Sequence, residues 1–316
     1  MADLPKASYI SFRQMDGDVM SDAVTSGFEE KFYRSTDGLR LYARSYQLAD
    51  KEPDRLPIVC LPGLTRNSRD FHELALILSR DTVSPRRVVA LDYRGRGLSD
   101  RDGNKANYNL AVECGDVVAG CAALGVDRAI FIGTSRGGLI LHLLAAIKPE
   151  LLAGVIFNDI GPVIEQAGLM AIRDYLNRDR KAQSWSEAAD ILREDHAGAF
   201  PALGLTDWEG MAHAIYREQN GIPVADYDPA IAEQLKTIDF DNPLPDLWPQ
   251  FENLGAVPLL VIRGENSSLL SRGTVDEMAK RHPDMLQITA KGQGHAPLLH
   301  LGDIPDRIRM FVSRLS

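Results

Sequence analysis

Ser135 lies in the run Ile132-Gly133-Thr134-Ser135-Arg136-Gly137-Gly138, directly after the apolar stretch Arg128-Ala129-Ile130-Phe131-Ile132. The chain then continues as an apolar-rich segment from Gly138 to Ile147. The pattern reads as a strand, a G-x-S-x-G turn and a helix. A serine on so sharp a strand-to-helix turn is forced into a strained backbone position, with its hydroxyl raised above the sheet where a base can reach it. Side chains at positions 133 and 137 would collide with the crossing strand and helix, which explains the two glycines. The helix N-terminus behind the serine favours negative charge developing there. A bare G-x-S-x-G is weak evidence, because a tight turn can need glycines and carry no chemistry. The flanking strand and helix are what give it weight.

The rest of the composition narrows the setting. A chain of 316 residues can bury the core of one large α/β domain with an insertion, or of two small domains. A net charge of −9, with no basic run or aromatic-basic stripe, argues against a nucleic-acid partner. Cys60, Cys114 and Cys121 form no metal-type pair and read as buried thiols, which fits a reducing compartment. Met1 to Asp18 lacks a basic start followed by an apolar core, so no signal peptide is expected. No stretch approaches the length of a membrane span, and the expected location is the cytoplasm.

Along the chain, residues 1–25 read as a polar N-terminal arm. Glu29 to Arg34 and Leu39 to Tyr46 alternate around Thr36-Asp37-Gly38 as an antiparallel hairpin. Buried strands are expected at Pro57 to Leu61, Arg87 to Leu91, Arg128 to Ile132 and Leu152 to Phe157, with helices at Phe71 to Leu78 and Ala111 to Leu124. Residues 162–251 break this rhythm and read as helices and loops without a strand. All three tryptophans, Trp185, Trp208 and Trp248, fall there, and Ser184 and Thr206 look like helix starts. The rhythm resumes with strands at Val257 to Ile262 and Met285 to Thr289 and helices at Thr274 to Arg281 and Ile304 to Arg314. Alternating apolar strands and helices predict a mainly parallel sheet with helices on both faces, and ligands bind at the carboxyl ends of such strands. Residues 26–161 and 252–316 would form the core, and 162–251 a lid over the site.

A serine alcohol is a poor nucleophile at neutral pH and needs a base within hydrogen-bond reach, itself oriented by a carboxylate. His295, in Lys291-Gly292-Gln293-Gly294-His295-Ala296-Pro297, follows the last strand, where that base should lie. His142 reads instead as a packed helix residue, and His72 as a candidate for substrate contact near the Gly63 loop. The oxyanion needs two preorganised N–H donors. The expected pair is the backbone N–H of Arg136 and that of Leu64, in Leu61-Pro62-Gly63-Leu64-Thr65-Arg66-Asn67, where Gly63 lets the backbone turn. The run Asp92-Tyr93-Arg94-Gly95-Arg96-Gly97-Leu98-Ser99-Asp100 has arginines able to bind an anion, although a structural role suits it better.

Together with Asn158-Asp159-Ile160-Gly161-Pro162, these stretches resemble the α/β-hydrolase superfamily, in its serine esterase and lactonase-like branch with a helical cap. The resemblance covers roughly Glu29 to Ser316. It implies an α/β fold with an eight-stranded sheet, a helical lid inserted after the sixth strand, a serine-histidine-acid triad, and no metal or organic cofactor. Relatives usually carry the acid in the loop after the Val257 strand. That loop here reads Arg263-Gly264-Glu265-Asn266-Ser267-Ser268, with Ser268 where the aspartate is expected. Three readings stay open: Asp159 supplies the acid from the preceding strand, as in haloalkane dehalogenases; Glu265 supplies it; or the position is vacant. Asp159 could also simply cap the first turn of the insert.

The expected function is hydrolysis of a small, mostly apolar ester or lactone by Ser135, His295 and Asp159, with Leu64 and Arg136 holding the oxyanion. A carbon-carbon bond hydrolase on the same scaffold, and a catalytically weakened ligand-binding protein, are the alternatives. No nucleic-acid or membrane partner is expected, and a homodimer is left open.

Overall fold

Strands with two apolar faces build the centre of the molecule. In β3 (Ile58–Leu61), β4 (Val88–Asp92), β5 (Ala129–Thr134), β6 (Leu152–Asn158) and β9 (Leu259–Gly264), nearly every side chain is buried. Period-two alternation divides them between two cores. Val59, Val89, Phe131, Val155 and Val261 face one, while Cys60, Ala90, Ile132, Ile156 and Ile262 face the other. Each large apolar side chain fully withdrawn from water contributes about 1.5–3 kcal/mol.

A computed structural model describes residues 27–47, 55–178, 180–242 and 244–315. The N-terminal arm expected at 1–25 lies outside the described residues. The remaining elements of the core are β1 (Glu29–Arg34), β2 (Arg40–Tyr46), α1 (His72–Ser79), α2 (Leu110–Ala123), α3 (Arg136–Ile147), α9 (Arg272–Arg281), β10 (Leu286–Ala290) and α10 (Ile304–Val312). Between β6 and β9 the insert carries α4 (Gln166–Leu176), α5 (Trp185–His196), α6 (Leu205–Ile215), β7 (Tyr216–Gln219), β8 (Ile222–Ala225), α7 (Ala230–Glu233) and α8 (Trp248–Glu252). The sheet has eight strands in the order β1-β2-β4-β3-β5-β6-β9-β10. Only the β1–β2 and β2–β4 pairings are antiparallel. Helices α2, α3 and α9 cover one face, and α1 and α10 the other.

The insert differs from expectation in two places. It contains the antiparallel hairpin β7–β8, so it is not free of strands. Helix α6 begins at Leu205, with the Asp207 carboxylate accepting from the N–H of Gly204, so Thr206 lies inside the first turn rather than capping it. Ser184 does cap α5, accepting from the N–H of Glu187. The insert has its own small core around Leu192, Phe200, Trp208 and Ala212. Backbone hydrogen bonds stitch it to the sheet loops: Gly97 N to Asp226 O at 3.0 Å, Asp228 N to Gly95 O at 2.7 Å and Ala202 N to Gly292 O at 3.1 Å.

The pairing register decides what meets at the carboxyl ends. Thr134 of β5 lies opposite Asn158 of β6, and Asn158 opposite Ile262 of β9. One residue further on, Ser135 donates its N–H to Asn158 O, and Asp159 donates its N–H to Ile262 O. Ser135, Asp159 and the loop after β9 therefore emerge side by side.

Candidate active site

Ser135 caps α3 with φ 51° and ψ −113°, a backbone state that costs a non-glycine residue about 1–3 kcal/mol. Close packing around the turn fixes it. A Cβ on Gly137 would stand 2.2 Å from Leu61 O, and one on Gly133 would stand 2.7 Å from the backbone of Gly137 and Gly138. Both glycines are needed for approach rather than for turning.

His295 reaches this serine from the loop after β10. Its Nε2 is 2.9 Å from Ser135 Oγ, and its Nδ1 is 2.8 Å from Asp159 Oδ2. A carboxylate only accepts, so Nδ1 carries the proton and Nε2 is left to accept from the serine hydroxyl. Asp159 is fully buried and sits at φ 55°, which aspartate tolerates better than most residues. Its Oδ1 accepts from Gly264 N at 2.7 Å, and its Oδ2 also accepts from Ser267 Oγ at 2.6 Å. These three bonds direct the carboxylate to His295 and the loop after β9 rather than to the turn that follows.

The other carboxylate candidate points elsewhere. Glu265 accepts from Gly292 N at 2.8 Å and pairs with Lys291 at 3.0 Å, contacts that hold its carboxyl below the usual range. Ser268 is exposed and lines the cavity, whereas its neighbour Ser267 is the residue that touches Asp159. Ser267 carried no motif, and its role follows only from the loop's course. His72 also departs from expectation: its Nδ1 lies 3.1 Å from the Tyr46 hydroxyl and its ring packs on Phe28, away from the cavity. His142 is wholly buried, stacked on Phe157 at 4.7 Å.

Leu64 lines the cavity beside Ser135. The N–H groups of Leu64 and Arg136 donate to no protein acceptor among the described residues. Gly63 has no left-handed φ. A Cβ there would lie 3.3 Å from Arg66 Cγ and 3.9 Å from Ser135 Cβ, so its value is closeness to the serine rather than freedom to turn. Below the loop, Arg96 is fully buried and donates through Nε to Leu64 O at 2.8 Å. Glu113, also fully buried, bridges Arg96 Nη1 and Arg136 Nε, at 2.6 Å each. Arg94 is held by Asp116 at 2.7 Å and by Asp37 and Asp102. The arginines of the β4 loop are thus buried and bound to carboxylates and carbonyls within the protein, with only Arg96 Nη2 left without a partner among the described residues, and neither lines the cavity.

Over Ser135 the insert and the sheet enclose a cavity of about 1090 Å³. Ile172, Leu176, Phe200, Met211, Ile215 and Val224 supply apolar wall. None of the three tryptophans lines it: Trp208 is in the core of the insert, Trp185 stacks on His213, and Trp248 packs on Phe251. Among the described residues no cluster of three or more His, Cys, Asp or Glu side chains could hold a metal ion. No helix there is long and apolar enough to cross a membrane.

Known proteins share this arrangement of strands. The sequence matches the alpha/beta hydrolase fold family over residues 57–300. It is 31% identical over 252 residues to the 3-hydroxybutyrate-oligomer hydrolase of Cupriavidus necator, covering 76% of this chain and 82% of that one. It is 32% identical over 259 residues to the esterase YbfF of Escherichia coli, covering 79% of this chain and 89% of that one. A crystal structure of an alpha/beta hydrolase from Novosphingobium aromaticivorans superposes with a TM-score of 0.83 at 37% identity, over 92% of this chain and 99% of that one. By its fold, its motifs and these similarities, the chain belongs to the α/β-hydrolase family.

Proposed function

We propose that this protein is a serine hydrolase that cleaves a carboxylic ester or lactone through an acyl-enzyme on Ser135. The observation that carries this reading is the continuous relay from Ser135 Oγ through His295 to Asp159, at 2.9 and 2.8 Å. Ser135 attacks the carbonyl carbon as His295 Nε2 takes its proton. The tetrahedral oxyanion forms between the N–H groups of Leu64 and Arg136, in front of the positive end of α3. Collapse breaks the ester bond, and the proton on Nε2 passes to the leaving alcohol. Water, deprotonated by the same nitrogen, then attacks the acyl-enzyme and releases the acid. Buried Asp159 holds the imidazole in one tautomer and balances its transient charge.

In this reading residues 162–251 act as a cap that closes the substrate cavity on Ser135. The volume admits a substrate larger than the shortest esters, and the apolar wall suits its hydrocarbon part. The named activities of the relatives in Cupriavidus necator and Escherichia coli, an oligomer hydrolase and an esterase, favour ester chemistry. A pure binding protein would have no use for a nucleophile, base and acid in hydrogen-bonded series. The three buried free thiols suit a cytoplasmic setting.

The test is labelling with a fluorophosphonate and turnover of a p-nitrophenyl ester. Wild type should label at Ser135 alone, and Ser135→Ala should lose both label and turnover, by up to about 10⁶-fold for the latter. Ester turnover that persists in Ser135→Ala would rule the reading out.

A further inference from the structure

Arg66 lies on the cavity wall beside the nucleophile. It and Ser135 flank Gly63, whose missing Cβ would touch both. The guanidinium is gripped from one side. Nε and Nη2 donate to Asp70 at 2.6–2.9 Å, while Nη1 donates to no protein acceptor among the described residues. The side chain is 22% exposed, and it lines the cavity. The phenols of Tyr175 and Tyr216, which interact with one another and also line the cavity, lie close enough to feel its charge. A planar donor fork oriented by a carboxylate behind it and left with one arm free is suited to an anionic oxygen.

Four cations, Arg66, Arg178, Arg180 and Lys181, line the cavity against three acids, Asp70, Asp174 and Asp195. Each of those acids is already paired with an arginine: Asp70 with Arg66, Asp174 with Arg173, and Asp195 with Arg178 and Arg180. His196 packs against Tyr175 with its ring tilted by 60°, and burial lowers its pKa. Arg180 is also paired with Glu194 at 2.6 Å, and Arg178, Arg180 and Lys181 are exposed, so Arg66 is the cation that an anion beside Ser135 would meet on the cavity wall.

We infer that the substrate is an ester bearing a carboxylate, with that anion bound by Arg66 Nη1 and the hydroxyls of Tyr175 and Tyr216 while Ser135 attacks the ester carbonyl. This rests on the serine-hydrolase reading above and adds the substrate class to it. A wholly apolar ester would displace water from the polar fork without replacing its hydrogen bonds, which weakens its binding.

Two substrates of equal shape test it: ethyl hydrogen glutarate, ionised at pH 7, and its neutral isostere ethyl 4-carbamoylbutanoate. The wild-type ratio of kcat/KM, acid over amide, should be at least tenfold. In Arg66→Gln/Asp70→Asn, which keeps a hydrogen-bonded pair without its charges, the ratio should fall to about one. A variant that is merely less well folded would lower both substrates together and keep the ratio. A wild-type ratio of one or below overturns the inference, as does a high ratio that the double variant retains. If neither ester turns over, protection of Ser135 from fluorophosphonate by ethyl hydrogen glutarate against ethyl 4-carbamoylbutanoate reads the same preference. If Ser135 does not label at all, the serine-hydrolase reading falls first and this inference with it.

Discussion

Glu113 accepts from Arg136 Nε at 2.6 Å with one carboxylate oxygen, while its other oxygen holds Arg96. Through Arg96 the same carboxylate reaches Leu64 O, so one side chain of α2 ties together the two segments proposed to hold the oxyanion. Glu113→Gln should therefore act in two ways. Weakening a buried ion pair shared by two arginines should cost on the order of 3 kcal/mol of stability, read by urea unfolding. A loosened oxyanion site should lower kcat by roughly 10- to 100-fold with little change in KM, below the loss for removing a donor outright. Equal effects on kcat and KM would mark Glu113 as structural only.

Ser267 offers a finer test of the relay. Ser267→Ala removes one of the bonds that fix the Asp159 carboxylate, while Gly264 N and His295 remain. Turnover should fall several-fold, with a stability loss of about 1–3 kcal/mol, because the hydroxyl also accepts from the N–H groups of Leu269 and Leu270. Glu265→Gln should leave turnover within about twofold, since its partners are Lys291 and Gly292. Steady-state kinetics of the two variants on one ester would check this ordering.

The serine turn depends on contact as much as on charge. Gly137→Ala sets a methyl group 2.2 Å from Leu61 O, which is backbone and cannot swing aside. The expected cost is at least about 3 kcal/mol. Calorimetry should find this variant far less stable than Gly198→Ala, where a Cβ meets nothing within 4 Å.

His142 should set part of the acid limit of stability. Burial brings its pKa down from 6.5 to about 4, only partly offset by its bond to Gly138 O. The unfolded chain takes up this proton near pH 6.5, and the folded chain refuses it until about pH 4. Its contribution is therefore complete above pH 6.5 and lost progressively as pH falls to 4, by on the order of 3 kcal/mol in all. His142→Leu should flatten the stability-pH curve in that window alone. An unchanged slope would show that other groups govern it.

Much of this was legible in the sequence because it is written locally. The strand-turn-helix around Ser135 and the loops of Leu64 and His295 each fit within a few residues. The acid was not local: a carboxylate after β6 can reach His295 only because β6 lies between β5 and β9 with Asn158 opposite both Thr134 and Ile262. The β7–β8 hairpin was hidden by the shortness of its two four-residue strands, by the polar β7 and by Pro223 in β8, although Asn220-Gly221, at φ 53° and 78°, is the two-residue turn signal that marks it. Glu113 sits inside an ordinary helical pattern, so nothing short of the assembled fold reveals its two arginines.

The most direct test of the account is kcat/KM of Asp159→Asn on a single ester. An amide at this position keeps the shape but favours the wrong imidazole tautomer and cannot balance the imidazolium. The predicted fall is about 10⁴-fold with stability nearly unchanged, and Ser268→Asp should bring no gain. Near-wild-type turnover in Asp159→Asn, or a rise in Ser268→Asp, would contradict the relay.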